Sequence, residues 1–331
     1  MAADSFIAFV ERFPEHIAAA KNLGSAVKVT GVDKVVVTGM GGGALAGHLL
    51  QIYCAEKAPQ LPVFVSHSYD VPGIVDKNTL VFINSYSGNT EETISSFKAA
   101  MRKGAKTVII TSGGRLMQQA EQLNKPMVAI PDGIQPRAAL PYLFLPQLNV
   151  LWASGLIPDP SDEISATVNS LRATAGSYKE RAKSLAEKLV GKVPLIYASD
   201  KMAGVAYRWK CELNENAKIH AFTHVIPELN HNELVGFSKL NANYYVIILE
   251  DEADSRRIKE RMHLTKEVAA NKNVPSTQIV IKGDSILTRI LSAVHIGDLT
   301  SVYLAKLTGV DPEPVEIIEN FKKQLGKVPF V

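Results

Sequence analysis

Two α/β domains, each a doubly wound parallel sheet flanked by helices, are predicted by three features of the chain. Short apolar, β-branched runs recur along it, each is followed by a longer stretch with helical spacing, and the rhythm restarts after a proline-rich break at "GLIPDPSDE". Runs that are apolar throughout suit strands covered on both faces. Their alternation with helices implies right-handed βαβ crossovers and parallel sheets. A length of 331 residues suits two domains.

In chain order, "MAADSFIAFVERFPEHIAAAKNLG" spaces its apolar residues helically around acids and a proline, which predicts an amphipathic lead-in helix. It lacks the positive leading segment and unbroken apolar run of a signal peptide. Strands are predicted at "KVVVTG" (34–39), "PVFVSH" (62–67), "TLVFINS" (79–85), "KTVIITS" (106–112) and "PMVAI" (near residue 128). After the break a polar helical stretch runs to about residue 190, followed by strands "PLIYASD" (194–200), "NYYVIILE" (243–250) and "TQIVIKG" (277–283). A closing helix, "EPVEIIENFKKQLGK", is expected to pack across the domains or against a partner. The reading is a first domain over 1–155, a linker helix region over 156–190 and a second domain over 191–331; the halves match in element order, not residue by residue.

Composition narrows the function. The chain is 46% apolar and 21% charged with net charge +3, and no segment carries the dense Lys/Arg clustering that a nucleic-acid backbone demands. Basic stretches such as "SYKERAKSLAEKLVGK" alternate with acids and read as a solvated helix face. Cys54 and Cys211 have neither metal spacing nor a disulfide framework, which fits a reducing compartment. Eighteen consecutive apolar residues occur nowhere, so no membrane span is expected, and the location expected is cytoplasmic.

Three places could carry chemistry. In "VVVTGMGGGALAGHLL" a strand runs into Gly39, Gly41, Gly42 and Gly43 before a helix, a turn that lets backbone approach an anion at a helix N-terminus. Gly39-x-Gly41-x-x-Ala44 also satisfies the dinucleotide fingerprint in its alanine-ended form. However, the next strand ends in "VFVSHSYD", without a ribose-binding acid at its tip. In "INSYSGNTEET" the strand delivers Ser85 to its carboxyl end, and Ser87, Gly88, Asn89 and Thr90 turn into a helix. Hydroxyls and free N–H groups there make a phosphate cradle. With no lysine in the loop, a monophosphate fits better than a nucleotide triphosphate; plain capping by Asn89 and Glu92 is the structural alternative.

The third place is "RWKCELNENAKIHAFTHVIPELNHNELVGF" (208–237). Glu212 and Glu215 share a helix face, and an irregular stretch with His220, His224 and His231 follows. Carboxylates and histidines gathered this way suit acid–base work, while the absence of HExxH spacing argues against a metal. Arg137, in the proline-flanked loop "DGIQPRAALPYLFLP", is either an anion clamp or a surface charge.

"GMGGG", "SYSGNTEET", "PRAALP", "ELNENAK" and "LNHNE", in that order, resemble the bifunctional phosphoglucose/phosphomannose isomerases of the sugar isomerase (SIS) domain superfamily, over about residue 35 to "SVYLAKLTGVDP". "SYSGNT" alone marks SIS domains in general, non-enzymatic ones included; "PRAALP" with "NENAK" is far more specific. The resemblance implies two SIS-type domains and an aldose–ketose isomerase of glucose 6-phosphate, mannose 6-phosphate and fructose 6-phosphate. It implies that Ser85, Ser87 and Thr90, with Gly41, Gly42 and Gly43, bind the sugar phosphate. Glu215 is then the base, His231 the ring-opening group and Arg137 the group that stabilises the negative intermediate. Where relatives have GMGGS this chain has Gly43, and where some have a lysine it has Tyr303, with Lys306 a turn away. Tyr303 is therefore taken as a substrate contact.

The chemistry agrees. His231 can pass a proton to the ring oxygen, Glu215 can move one between C2 and C1, and Arg137 can hold the cis-enediolate charge. No metal or other cofactor is called for. The expected partners are a small sugar phosphate and a second copy of the chain, since the family forms homodimers in which this histidine can come from the neighbour. A non-catalytic sugar-phosphate-sensing protein would keep "SYSGNT" but has no use for Glu215, Arg137 and His231 together. An isomerase of a different sugar phosphate is the rival that sequence separates least, and a nicotinamide oxidoreductase is opposed by the missing ribose acid.

Overall fold

The computed structural model describes residues 2–328. It opens with α1 (Ala2–Glu11) and α2 (Phe13–Ala20). Then come β1 (Lys34–Gly39), α3 (Gly42–Lys57), β2 (Val63–Ser66), β3 (Thr79–Asn84), α4 (Glu91–Arg102), β4 (Lys106–Thr111), α5 (Gly114–Gln122), β5 (Met127–Ala129) and α6 (Leu140–Ala153). The long α7 (Ser161–Leu189) leads to β6 (Val193–Ser199), α8 (Ala203–Glu215), β7 (Phe222–Ile226), β8 (Tyr244–Asp251), α9 (Arg256–Asn271), β9 (Ser276–Ile281), α10 (Ile286–Thr308) and α11 (Glu316–Leu325).

The strands form two sheets, ordered β2-β1-β3-β4-β5 and β7-β6-β8-β9, with every pairing parallel. Side chains alternate across each strand, so β1 and β3 send Val35, Val37, Leu80 and Phe82 into one core and Val36, Val81 and Ile83 into another. The first core is continuous with the inner face of the second sheet, where Ile196, Ala198, Ile247 and Leu249 lie. Helices α3, α6, α7, α8 and α10 fill the layer between the sheets. Helices α4 and α5 cover the outer face of the first sheet and α9 that of the second. This layering explains why the strands read as wholly apolar runs.

α10 is long and apolar enough to cross a membrane, but 89% of its most apolar window is buried inside the protein. It packs along α7 as a core helix. One expectation needs revision. The stretch after α8, read as irregular, contains the edge strand β7, on which His224 sits. The closing helix α11 has no buried residue within the chain, which leaves packing against a partner as the expectation for it.

In each half the chain runs from a central strand (β1 or β6) through a helix to an edge (β2 or β7), then returns to the other side of that central strand (β3 or β8). Strand order reverses there, which opens a crevice at the carboxyl ends. Gly39 lies opposite Asn84 across the β1–β3 pair, so the glycine turn and the hydroxyl-rich loop emerge side by side.

Candidate active site

β3 ends at buried Asn84, whose Nδ2 donates to the Gly43 carbonyl at 3.1 Å. Beyond it, Ser85 Oγ and Thr90 Oγ1 stand 2.9 Å apart, and Ser87 Oγ accepts from the Asn89 N–H at 3.2 Å. Gly88 makes the loop possible: its φ is +65°, and a Cβ there would lie 1.9 Å from the Gly113 carbonyl oxygen. Asn89 is taken up elsewhere, its Oδ1 accepting from the Arg115 N–H at 3.1 Å. Thr90 is the N-cap of α4, yet no side chain caps that helix. The capping alternative for Asn89 and Glu92 therefore does not occur. Three hydroxyls surround a helix N-terminus whose N–H groups and dipole favour an anion.

The glycine turn is wedged between this loop and the next motif. A Cβ at Gly43 would stand 2.6 Å from the Asn84 carbonyl oxygen, and one at Gly42 would stand 2.8 Å from that of Pro136. Gly43 is thus required for close approach, and a serine there would force the two segments apart. Its N–H is already donated to the Met40 carbonyl at 3.0 Å. Gly41, with φ +50°, is the N-cap of α3.

Contact with Pro136 brings in Arg137, which is buried rather than a surface charge. Its Nε donates to Asn216 Oδ1 at 2.6 Å, and its Nη2 donates to the carbonyls of Pro312 (2.6 Å) and Glu313 (2.9 Å). Phe6 lies under the guanidinium, 5.0 Å from the ring centre. The remaining nitrogen, Nη1, faces the partly exposed Glu215 carboxylate at 3.8 Å. Lys218 adds a second cation over the same segment, donating to the carbonyls of Glu215 and Pro314, each at 2.5 Å. Burial, with Arg137 nearby, lowers its pKa.

Behind Glu215 lies a buried polar network that sequence reading did not assemble. Arg208 forms ion pairs with Glu212 (3.1 Å) and Asp298 (2.7 Å) and donates to the Arg137 carbonyl at 2.9 Å. Asn216 Nδ2 bridges Glu212 (2.9 Å) and Ser301 (2.8 Å). Burial pushes the Glu212 and Asp298 carboxyls upward against the pull of Arg208, one cation between two acids. Glu212, which shares a helix face with Glu215, is thereby committed to holding Arg208 and Asn216. The i,i+4 spacing of Arg208 and Glu212 and Asp298, the one acid in the mostly apolar α10, were the available signals.

Two expected site residues are not joined to this cluster within the chain. Tyr303 points its hydroxyl to Glu11 Oε1 at 2.7 Å, and Lys306 pairs with Asp4 at 2.9 Å. The α10 residue that accepts directly from Asn216 is Ser301. His231 ends the exposed 3₁₀ turn Glu228–His231, and its ring makes no hydrogen bond within the described residues. Among those residues no three His, Cys, Asp or Glu side chains converge as a metal would require.

Residues 28–154 match the model of the SIS domain, and residues 178–325 match that of the bacterial phospho-glucose isomerase C-terminal SIS domain. A bifunctional phosphoglucose/phosphomannose isomerase from Caldicellulosiruptor bescii is 40% identical over 96% of this chain and 98% of that protein. A D-glucosamine-6-phosphate 4-epimerase from Sulfolobus acidocaldarius is 32% identical over 88% and 89%. The crystal structure of a hypothetical protein from Thermus thermophilus superposes with a TM-score of 0.75 over 98% of this chain and 90% of that one. At 16% identity this likeness concerns the fold alone. Two SIS-type halves, the five motifs in order and 40% identity along nearly the full length place the chain in the bifunctional phosphoglucose/phosphomannose isomerase family.

Proposed function

We propose that the protein interconverts glucose 6-phosphate and mannose 6-phosphate with fructose 6-phosphate through a cis-enediolate. The observation that carries this is the 3.8 Å approach of Arg137 to Glu215, on a loop that abuts the glycine turn beside Ser85, Ser87 and Thr90. In this reading the hydroxyls and α4 N–H groups hold the phosphate far from the reacting carbons and orient the sugar. Glu215 takes the C2 proton and returns it at C1. Arg137, held by Asn216 and the 312–313 carbonyls, presents Nη1 to the enediolate oxygen without rearranging. Because C2 becomes planar, both aldose epimers reach the same intermediate.

The test is a coupled assay starting from fructose 6-phosphate, with glucose 6-phosphate and mannose 6-phosphate followed separately. Wild type is expected to make both, and Glu215→Gln to lose about 10²- to 10⁴-fold in kcat, the usual worth of a positioned base. An unaffected Glu215→Gln variant removes Glu215 from the role. The epimerase relative makes glucosamine 6-phosphate the control substrate; turnover at C4 with none of fructose 6-phosphate would replace the isomerase reading.

The exposed, unpartnered His231 ring suits donation across a homodimer, working in the cytoplasm on metabolic sugar phosphates. Mixing inactive Glu215→Gln with inactive His231→Ala subunits tests this. A heterodimer in which His231 serves the neighbouring site rebuilds one intact site, so activity returns. If His231 serves its own chain, mixing restores nothing.

A further inference from the structure

A cleft of about 490 Å³ opens between α7, the free edge of β9 and the first half of α10, and it shares no lining residue with the Arg137–Glu215 site. Residues of α7 on one helical face (Thr174, Ser177 or Tyr178, Arg181) oppose alternate residues of β9 and its end (Gln278, Val280, Lys282). Three properties set it apart. Arg181 and Lys282 both line it, and neither has an ion pair or side-chain hydrogen bond within the described residues. Among the described residues no aspartate or glutamate lines it to neutralise those cations. Ser292, on α10, is only 2% exposed, yet its Oγ has no hydrogen-bonding partner among the described residues.

Buried hydroxyls are rarely left unmatched, and the other arginines of this layer, Arg137, Arg208 and Arg289, are all engaged by acids or carbonyls. Two free cations and a free hydroxyl converging on one cavity form an anion field with a hydrogen-bond donor. The other walls, Tyr178, Val280 and Ile296, are apolar enough to take a ring or hydrocarbon body. We propose that this cleft binds a small phosphate monoester, its dianion between Arg181 and Lys282 with Ser292 donating, and its body against Tyr178 and Ile296. Helix α10 carries both Ser292 and, six positions on, the Asp298 that pairs with Arg208, so the cleft and the candidate active site share one rigid element.

Phenyl phosphate is the probe, since it has the dianion and an apolar ring but no sugar to isomerise. Calorimetric titration uses full-length protein carrying Ser87→Asp, which sets a negative charge in the β3–α4 loop and removes competing phosphate binding there. One phenyl phosphate per chain is expected, and Arg181→Ala with Lys282→Ala in the same background should weaken it about tenfold, as two part-exposed charge contacts would. Both positions are exposed, so the fold is retained, and phenol serves as the neutral control. Absence of binding to the Ser87→Asp protein, affinity untouched by the double substitution, or phenol binding as well as phenyl phosphate would each overturn the proposal.

Discussion

The two halves wind their chains alike and open equivalent crevices at the carboxyl ends of their sheets, but they fill them oppositely. In the first half β1 ends in the Gly39–Gly43 turn, and β3 is followed by Ser85, Ser87 and Thr90. In the second, β6 is followed by Asp200 and Lys201, and β8 ends at Asp251, just before Glu252 and Asp254. Asp251 and Asp254 are consumed internally. Asp251 pairs with Arg289 at 2.9 Å, and Asp254 Oδ2 accepts from the Asp251 N–H at 3.0 Å. Even the helix ends differ: Ser255 caps α9 by accepting from the Ile258 N–H, whereas Thr90 leaves α4 uncapped. Doubly wound topology supplies the crevice, and a handful of side chains decide whether it takes a ligand or closes on itself.

Breaking the closed crevice should have the largest effect. Arg289 is buried, pairs with Asp251 and reaches Glu56 on α3 at 2.7 Å, so it also ties the halves together. Arg289→Ala leaves Asp251 buried and unpaired and should cost about 3 kcal/mol of unfolding free energy, seen as a lower denaturant midpoint. Folded variant should keep wild-type KM, since the open crevice is untouched; a large rise in KM would mean that the second crevice also handles substrate.

The next test gives the open crevice the character of the closed one. Ser87 is exposed, so Ser87→Asp should fold normally while setting a carboxylate against the substrate phosphate. Like charges so placed cost several kcal/mol, and kcat/KM should fall about 100-fold, mostly through KM. Ser87→Ala should lose far less. A variant whose kcat alone falls would show that the loop acts in the chemistry rather than in holding the phosphate.

Much of this contrast is legible in the sequence because it is local. Glycines after β1 and hydroxyls after β3 sit within a few residues of strands whose apolar runs, buried on both faces, announce themselves. What escaped is what depends on distant pairing or on an edge. β7 carries Thr223 and His224 and leaves Phe222 more than half exposed, so it lacks the apolar run that marks the central strands. Arg208 reads as half of an i,i+4 pair with Glu212, but its stronger partner, Asp298, lies 90 residues further on. Helical spacing alone could not say that Ser301 faces Asn216 while Tyr303 turns to α1, because α10 is buried nearly all round. For the same reason, burial of Arg137 follows from the Pro312 and Glu313 carbonyls, not from its own loop.

The smallest expected effect sharpens the comparison by its pH dependence. The open crevice presents hydroxyls, which do not titrate in the working range, whereas burial raises the pKa of both Asp251 and Asp254 in the closed one. A carboxyl whose folded pKa lies above its unfolded value binds its proton more tightly when folded. The folded state therefore gains stability as pH falls through the raised pKa, and the gain levels off below the ordinary aspartate value near 3.9. Above the raised pKa the charged form is held at a cost. Asp254 is the better probe, because it makes no ion pair within the described residues and Asn can still accept the Asp251 N–H. Asp254→Asn should be as stable as wild type or more so at pH 8, by less than about 1 kcal/mol, and that advantage should shrink as pH falls towards 4. Denaturant midpoints of the two proteins at pH 4, 6 and 8 would show it. A variant less stable than wild type at pH 8, with the deficit closing on acidification, would mean that the Asp254 charge supports the fold, and that the acids of the second crevice are there as ions rather than as filling.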